Sequence, residues 1–131
     1  MAMSVPSESL SLLLLEPDRA TRQLYARELG KRWHVVPVER PAEALDVLAT
    51  QMIHAVILEL GIADTDKWQL LASVKAQMDH SPLPIIVCSS VDERGKGYEL
   101  GVSAYLVKPV SPHQLSCEVA RWLDGGPDDA K

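Results

Sequence analysis

The sequence has no apolar run long enough to cross a lipid bilayer. Uninterrupted apolar stretches such as Leu12–Leu15 are far shorter than the roughly 20 residues that a membrane-spanning helix needs. Residues 1–9, MAMSVPSES, contain no basic residue, whereas a secretory signal peptide begins with a basic region. We therefore expect a cytoplasmic protein that does not associate with a membrane.

Positive charge and cysteine are also scarce. The 13 Lys and Arg residues are outnumbered by 18 Asp and Glu residues, so the net charge is −5. An acidic chain of this kind is not expected to bind nucleic acid directly. The two cysteines, Cys88 and Cys117, lie in apolar stretches, which predicts unpaired thiols buried in the core of a protein from a reducing compartment.

The sequence lacks the short motifs of the common catalytic and cofactor sites. Its histidines are scattered without the spacing of a zinc site. No G-x-G-x-x-G pattern and no phosphate-binding P-loop occurs, and no Ser-His-Asp or Cys-His arrangement can be argued from spacing. We therefore expect a protein that is not an enzyme and that has no cofactor. Whether a magnesium ion fits depends on the residues at the strand ends.

Apolar runs typical of strands alternate with amphipathic segments typical of helices. Helix starts are expected at three prolines and at Asp66. The segment that contains Gly95 and Gly97 is expected to form a weak helix, since each glycine costs about 1 kcal/mol relative to alanine. Helix faces are expected to bury Leu24 and Met52 among others. The predicted strands cover residues 10–15, 33–38, 55–60, 83–90 and 104–107, and the helices begin at Pro17, Pro41, Asp66, about residue 91 and Pro112.

Strands that are apolar on both faces and alternate with helices predict a parallel sheet covered on both sides. Right-handed crossovers then favour a three-layer αβα, flavodoxin-like fold with a five-stranded sheet in the order 2-1-3-4-5. Pro37 cannot donate to a sheet ladder, so the second strand is expected at an edge. We expect one domain over residues 10–123, between a flexible leader, 1–9, and a flexible tail, 124–131.

Polar residues follow the strands at the edge where the carboxyl ends of parallel strands meet. They are Glu16 and Asp18 after the first strand, Glu59 after the third, Ser89 at the fourth and Lys108 after the fifth. Carboxylates and hydroxyls are ligands that suit Mg²⁺, and a lysine with a hydroxyl suits a phosphoryl group. Simpler explanations remain open: Asp18 in a first helical turn, Ser89 as a helix cap, and solvated side chains for Glu16 and Lys108.

Four segments resemble the receiver domains of response regulators, the CheY-like phosphoacceptor half of two-component signalling. They are LLLLEPD, HAVILELGIADTDKWQLL, IIVCSS and ELGVSAYLVKP, and the resemblance covers residues 10–123. It implies signalling partners, namely a histidine kinase or an output domain or protein, and the family's habit of forming homodimers through the fourth helix, fifth strand and fifth helix. It also implies that Ser89 and Tyr105 are the residues that move together on activation, although Tyr105 is equally explained as a half-buried strand aromatic.

The departures from the family pattern concern the phosphorylation site itself. Glu59 falls on the phosphoacceptor aspartate, and Glu16 falls on the first residue of the family's acidic pair. Pro17 falls on the second residue of that pair, an acid that is a main metal ligand in the family. The extra methylene of glutamate moves the carboxylate by about 1–1.5 Å, and a misplacement of about 1 Å can slow a reaction roughly 100-fold. Proline has no side-chain oxygen to offer a metal. These departures predict no metal site, and Glu16, Asp18 and Glu59 are the residues that would hold Mg²⁺ if it bound.

These departures predict a degenerate receiver that acts as a phosphorylation-independent protein-interaction module. Glu59 is expected to pair with Lys108 and to accept a hydrogen bond from Ser89. The alternative is a functional phosphoacceptor that receives phosphate from a histidine kinase on another carboxylate, such as Asp64 or Asp66. A third hypothesis, binding of FMN or another small anion, has only the architecture in its favour.

Overall fold

A computed structural model describes residues 10–62, 65–78 and 83–125. The predicted leader and residues 126–131 of the predicted tail lie outside the described residues, as does Asp64. The described residues form five strands and five α-helices in strict alternation, followed by one π-helical turn. The elements are β1 (Ser11–Leu15), α1 (Arg19–Leu29), β2 (His34–Val38), α2 (Pro41–Thr50), β3 (Ala55–Leu58), α3 (Lys67–Gln77), β4 (Ile85–Ser89), α4 (Arg94–Glu99), β5 (Ala104–Val107), α5 (Pro112–Ala120) and the π-helical turn (Arg121–Gly125).

The five strands form one parallel sheet in the order β2-β1-β3-β4-β5, so the predicted fold is confirmed. The strand that contains Pro37 lies at an edge of the sheet, as expected. The register pairs Leu15 with both Val38 and Leu58, and Ser89 with Val107. The carboxyl ends of the strands are therefore level, and the residues that follow them meet at one edge.

Both faces of the central strands are buried, because successive side chains of a strand point to opposite sides of the sheet. Leu13, Leu15 and Val56 belong to the core cluster that includes residues of α2 and α3. Leu12 and Leu14 belong to the cluster on the other face, which includes residues of α1 and α5. This double burial explains why these strands appear in the sequence as continuous apolar runs rather than as alternating patterns.

Helix starts and ends follow the sequence signals in most cases. Pro41 and Pro112 begin α2 and α5, and Ser111 caps α5 by accepting a hydrogen bond from the backbone N–H of Gln114. The prediction that α1 begins at Pro17 is wrong, since the helix begins at Arg19 after an N-cap residue, Asp18.

Some expected core residues lie on the surface. Leu24 is 54% exposed because the buried side of α1 is formed by Tyr25 and Leu29 instead. Met52 is 78% exposed because α2 ends at Thr50, before the residue that was expected to extend its buried face. The first error arises because each residue turns the side chain by about 100° around a helix axis, and the second because the position of the helix end was not predicted.

The two cysteines have different environments. Cys88 is buried in β4, as predicted, whereas the prediction that Cys117 is a core residue is wrong. The buried stripe of α5 is formed by Leu115 and Val119, and Cys117 lies between them in sequence but on the exposed face of the helix. Both thiols are unpaired, and burial raises the pKa of the Cys88 thiol.

Helix α4 is short, as its glycines predict, and one of these glycines is needed for packing. A Cβ atom on Gly97 would lie 2.7 Å from Cδ2 of Tyr105, whereas one on Gly95 would meet nothing within 4 Å. The glycine at 97 therefore lets the helix approach the Tyr105 ring. Within the part of the chain that the structure describes, no helix combines the length and the apolarity that crossing a bilayer requires.

Candidate functional site

Three charged residues extend the strands by one position at the carboxyl edge of the sheet. Glu16 donates its backbone N–H to the carbonyl of Val38 at 3.1 Å, and Glu59 donates to that of Leu15 at 3.0 Å. Lys108 donates its backbone N–H to the carbonyl of Ser89 at 2.8 Å. Because these bonds continue the sheet ladder, the sheet itself fixes where each side chain begins.

The Lys108 ammonium lies between the two carboxylates. Its Nζ is 2.7 Å from Oε1 of Glu16 and 2.8 Å from Oε1 of Glu59. The second oxygen of each carboxylate accepts a backbone N–H, from Asp18 at 3.0 Å for Glu16 and from Gly61 at 2.7 Å for Glu59. Glu16, Glu59 and Lys108 are called the lysine cluster below, and every carboxylate oxygen in it has a partner.

The lysine cluster is largely withdrawn from solvent. The side chains of Glu16, Glu59 and Lys108 are 3%, 7% and 19% exposed. Burial of the Lys108 ammonium acts to lower its pKa, but the hydrogen bonds and charges of Glu16 and Glu59 more than offset this, so its pKa is raised overall. The cluster thus combines a protonated lysine with two acids, and Arg22 adds a second cation nearby by donating to the backbone carbonyl of Glu16 at 2.8 Å.

Asp18 does not join the lysine cluster. Its Oδ2 accepts hydrogen bonds from the backbone N–H and the hydroxyl of Thr21, at 2.9 and 2.6 Å, and so caps the start of α1. These hydrogen bonds hold the pKa of the Asp18 carboxyl below its usual range. The acidic pocket expected from Glu16 and Asp18 therefore does not form, only Glu16 and Glu59 lie together at this edge, and Asp18 lies at a helix start.

The residues at this edge do not fit a magnesium ion. Mg²⁺ requires near-octahedral oxygen coordination, but Glu16 and Glu59 already share the Lys108 ammonium. Pro17 contributes no side-chain oxygen, and the Asp18 carboxylate is occupied as a helix cap. Across residues 10–62, 65–78 and 83–125, no group of three or more His, Cys, Asp and Glu side chains is arranged to hold a metal ion.

Ser89 lies beside the lysine cluster without the hydrogen bond that was expected. A Cβ atom on Gly61 would lie 3.2 Å from Oε2 of Glu59 and 3.7 Å from Oγ of Ser89, which places these two groups around the same glycine. The Ser89 hydroxyl oxygen, however, accepts the backbone N–H of Val91 at 3.3 Å. The predicted hydrogen bond from Ser89 to Glu59 is not among the hydrogen bonds of the described residues, in which this hydroxyl oxygen supports the turn that follows its own strand.

Tyr105 is buried and bonded to the loop between β4 and α4, residues 90–93, called the β4–α4 loop below. The residue is only 5% exposed, so it is more deeply buried than the half-buried strand aromatic that was expected. Its hydroxyl donates to the carbonyl of Val91 at 2.7 Å and accepts the backbone N–H of Glu93 at 3.3 Å. On the neighbouring helix, the hydroxyl of Tyr98 accepts the backbone N–H of Tyr105 at 3.0 Å.

One further feature beside the site was not found from the sequence. Lys67, the first residue of α3, forms an ion pair with Glu93 of the β4–α4 loop, and no sequence spacing predicts a pair that is 26 positions apart. The helix start expected at Asp66 is present, because Asp66 accepts the backbone N–H groups of Trp68 and Gln69, at 3.1 and 3.2 Å, and so caps α3.

Comparison with known proteins agrees with the fold. The family model for the response regulator receiver domain matches residues 12–120. Response regulator MprA of Mycobacterium sp. (strain KMS) is 28% identical over 124 residues, which cover 89% of this chain and 54% of that protein. Transcriptional regulatory protein GltR of Pseudomonas aeruginosa is 30% identical over 117 residues, which cover 86% of this chain and 48% of that protein. The chain thus spans about half the length of these curated relatives.

A similar solved structure is that of the response regulator receiver domain protein (CheY-like) from Methanospirillum hungatei JF-1. It superposes with a TM-score of 0.80 at 18% identity, and the match covers 93% of this chain and 100% of that one. At this level of identity the likeness shows the shared fold. With a family model that covers nearly the whole chain and a sheet of the matching order, the chain belongs to the family of response regulator receiver domains.

Proposed function

We propose that this receiver domain is a phosphorylation-independent protein-interaction module and not an enzyme, with Glu59 in the place of the phosphoacceptor aspartate. The observation that carries the proposal is the position of the Lys108 ammonium, 2.7 Å from Glu16 and 2.8 Å from Glu59. A phosphoryl group is an anion that a lysine can bind. Here the protein's own carboxylate already gives the lysine a permanent anionic partner.

The reaction of a phosphoacceptor makes demands that Glu59 does not meet. One carboxylate oxygen must attack the phosphorus in line with the leaving group, as the donor's P–O bond breaks. Both oxygens of Glu59 are engaged, one by Lys108 and one by the backbone N–H of Gly61. Losing a hydrogen bond to a buried charged group costs about 1.5–3 kcal/mol, which adds to the barrier that the longer side chain and the missing metal ligand already raise.

The fixed site supports a fixed docking surface. Tyr105 is buried and hydrogen-bonded to the β4–α4 loop, so we expect the surface formed by α4, β5 and α5 to keep this conformation without any added phosphate. The partners proposed for it are signalling proteins of the cytoplasm: a histidine kinase, an output domain or protein, or a second copy of the chain. No observation favours the alternative phosphoacceptor Asp66, because its carboxylate caps α3.

The test is to incubate the protein with acetyl phosphate and Mg²⁺ and to measure its intact mass. An ordinary receiver domain with aspartate at the acceptor position, treated in the same tube, shows that the donor is active. The expected result is no Mg²⁺-dependent addition of a phosphoryl group to this chain. Stoichiometric, Mg²⁺-dependent labelling that peptide mapping assigns to Glu59 would refute the proposal, and labelling at Asp64 or Asp66 would establish the alternative phosphoacceptor.

A further inference from the structure

We propose that Lys67 and Glu93 are positioning residues that hold the β4–α4 loop over Tyr105. This inference rests on the proposed function, because it names what sets the conformation of the docking surface when no phosphoryl group does so. The device is an ion pair between α3 and the residue that precedes α4. Nothing in the lysine cluster takes part in it directly.

The ion pair connects two segments that are far apart in sequence. Lys67 begins α3, and its partner Glu93 is the N-cap residue of α4. The two side chains are only 29% and 32% exposed, so their attraction is screened less than that of a surface pair. The Lys67 ammonium also lies 5.6 Å from the centre of the Trp68 ring, a contact that further restricts where the lysine can lie.

The ion pair is coupled to Tyr105 through the backbone of the same residue. The N–H of Glu93 donates to the Tyr105 hydroxyl at 3.3 Å, and that hydroxyl donates to the carbonyl of Val91 at 2.7 Å. One hydroxyl therefore holds two points of the β4–α4 loop. A movement of the Glu93 backbone away from α3 would lengthen a bond that keeps Tyr105 in place.

The β4–α4 loop needs such an anchor because its helix is weakly supported. Helix α4 has six residues, and its N-cap Glu93 makes no side-chain hydrogen bond to the helix, so the first turn gains nothing from the side chain of the N-cap residue. The neighbouring ion pair of Arg94 with Asp92 lies within the same segment and cannot attach that segment to the rest of the fold. The pair with Lys67 does attach it, to α3.

The test is amide hydrogen exchange followed by NMR on the intact chain, without any phosphodonor. The variant Lys67→Gln removes one charge and leaves the sequence around Val91 and Glu93 unchanged, so the intrinsic exchange rates there do not change. We expect the amides of Val91 and Glu93 to exchange roughly two- to fivefold faster, the range that loss of a partly exposed ion pair produces. The amide of Val56 in β3, which donates to Pro84 at 3.0 Å, should exchange at the wild-type rate.

Two further variants separate the specific ion pair from general effects of charge. The reversed pair Lys67→Glu with Glu93→Lys should restore slow exchange, and the control Arg94→Gln, which breaks only the local ion pair, should leave it unchanged. Unaltered exchange at Val91 and Glu93 in Lys67→Gln would overturn the inference. So would an equal acceleration at Val56, an equal effect of Arg94→Gln, or failure of the reversed pair to restore protection. Because no phosphodonor is present, these results are independent of whether the site accepts phosphate.

Discussion

Replacing Lys108 with methionine tests the energetics of the site most sharply. Methionine keeps an unbranched apolar side chain, but the ammonium between Glu16 and Glu59 is lost. The two carboxylate side chains, 3% and 7% exposed, then face each other without that cation. Each retains one backbone hydrogen bond, from Asp18 or from Gly61, and water can reach them from the side where the Lys108 side chain is 19% exposed.

The expected cost follows from these contacts. Removing one partner of a buried ion pair destabilises a protein by about 3–5 kcal/mol, and the partial access of water places Lys108→Met near the lower end, at about 3 kcal/mol. Domains of this size are stable by about 5–15 kcal/mol, so the variant should still fold. The control Lys31→Met removes a surface ion pair with Glu28, in which the lysine side chain is 66% exposed, and should cost less than about 1 kcal/mol.

A second substitution, Glu59→Gln, turns this prediction into a test of sign. In the wild-type background, the single oxygen of the introduced amide can accept from Lys108 or from Gly61 but not from both, and the amide NH2 group faces the other donor. The change should therefore destabilise the protein by about 1.5–3 kcal/mol. In the Lys108→Met background the same change removes repulsion from Glu16 and should stabilise the protein by about 1–2 kcal/mol. Urea unfolding followed by tryptophan fluorescence and circular dichroism measures each free energy. Equal effects of Glu59→Gln in the two backgrounds would refute the reasoning, because the cluster would then not be coupled.

Three other predictions follow from the structure. The pKa of Lys108 is raised by folding from its ordinary value of 10.5, so the stabilisation that it provides is fully present below pH 10.5 and is lost as the pH rises through the higher pKa of the folded protein. Between about pH 10 and pH 12, urea unfolding should therefore show that Lys108→Met loses less stability than the wild type. Gly97→Ala should destabilise the protein by about 1–3 kcal/mol because the added Cβ would lie 2.7 Å from the Tyr105 ring. Gly95→Ala, whose Cβ would meet nothing within 4 Å, should stabilise α4 by up to about 1 kcal/mol. Thermal unfolding compares the two variants, and equal shifts in their melting temperatures would contradict the prediction. A thiol reagent should label Cys117 rapidly in the folded protein and Cys88 only on unfolding, since the first is exposed and the second buried; fast labelling of both thiols would show that the core opens.

The fold and the composition of the lysine cluster were predictable because they depend on regular geometry. Parallel strands place their carboxyl ends at one edge of the sheet, so Glu16, Glu59 and Lys108 had to approach one another once the strand order was known. The ion pair of Glu59 with Lys108 was expected on that basis and is present. No comparable rule governs the direction in which the Ser89 hydroxyl donates, because a hydroxyl rotates freely about its C–O bond.

Local competition between hydrogen bonds explains other errors. Asp18 follows a strand like the residues of the cluster, but its carboxylate is near enough in sequence to cap α1, and the cap holds it. The pairing of Lys67 with Glu93 joins residues 26 positions apart through two loops, and the path of a loop is set by packing that sequence periodicity does not describe. Contacts of this kind could be identified only from the structure.

The most direct measurement of the central claim is the amide NMR signal of Gly61, which donates to Oε2 of Glu59 at 2.7 Å. Adding Mg²⁺ with beryllofluoride, a phosphoryl mimic, should leave this signal in place if the Glu59–Lys108 ion pair permanently occupies the site. An Asp-containing receiver domain in the same buffer serves as the positive control. A new Gly61 signal that appears only with both Mg²⁺ and beryllofluoride, together with changes at Tyr105, would show that the site still switches and would contradict the account.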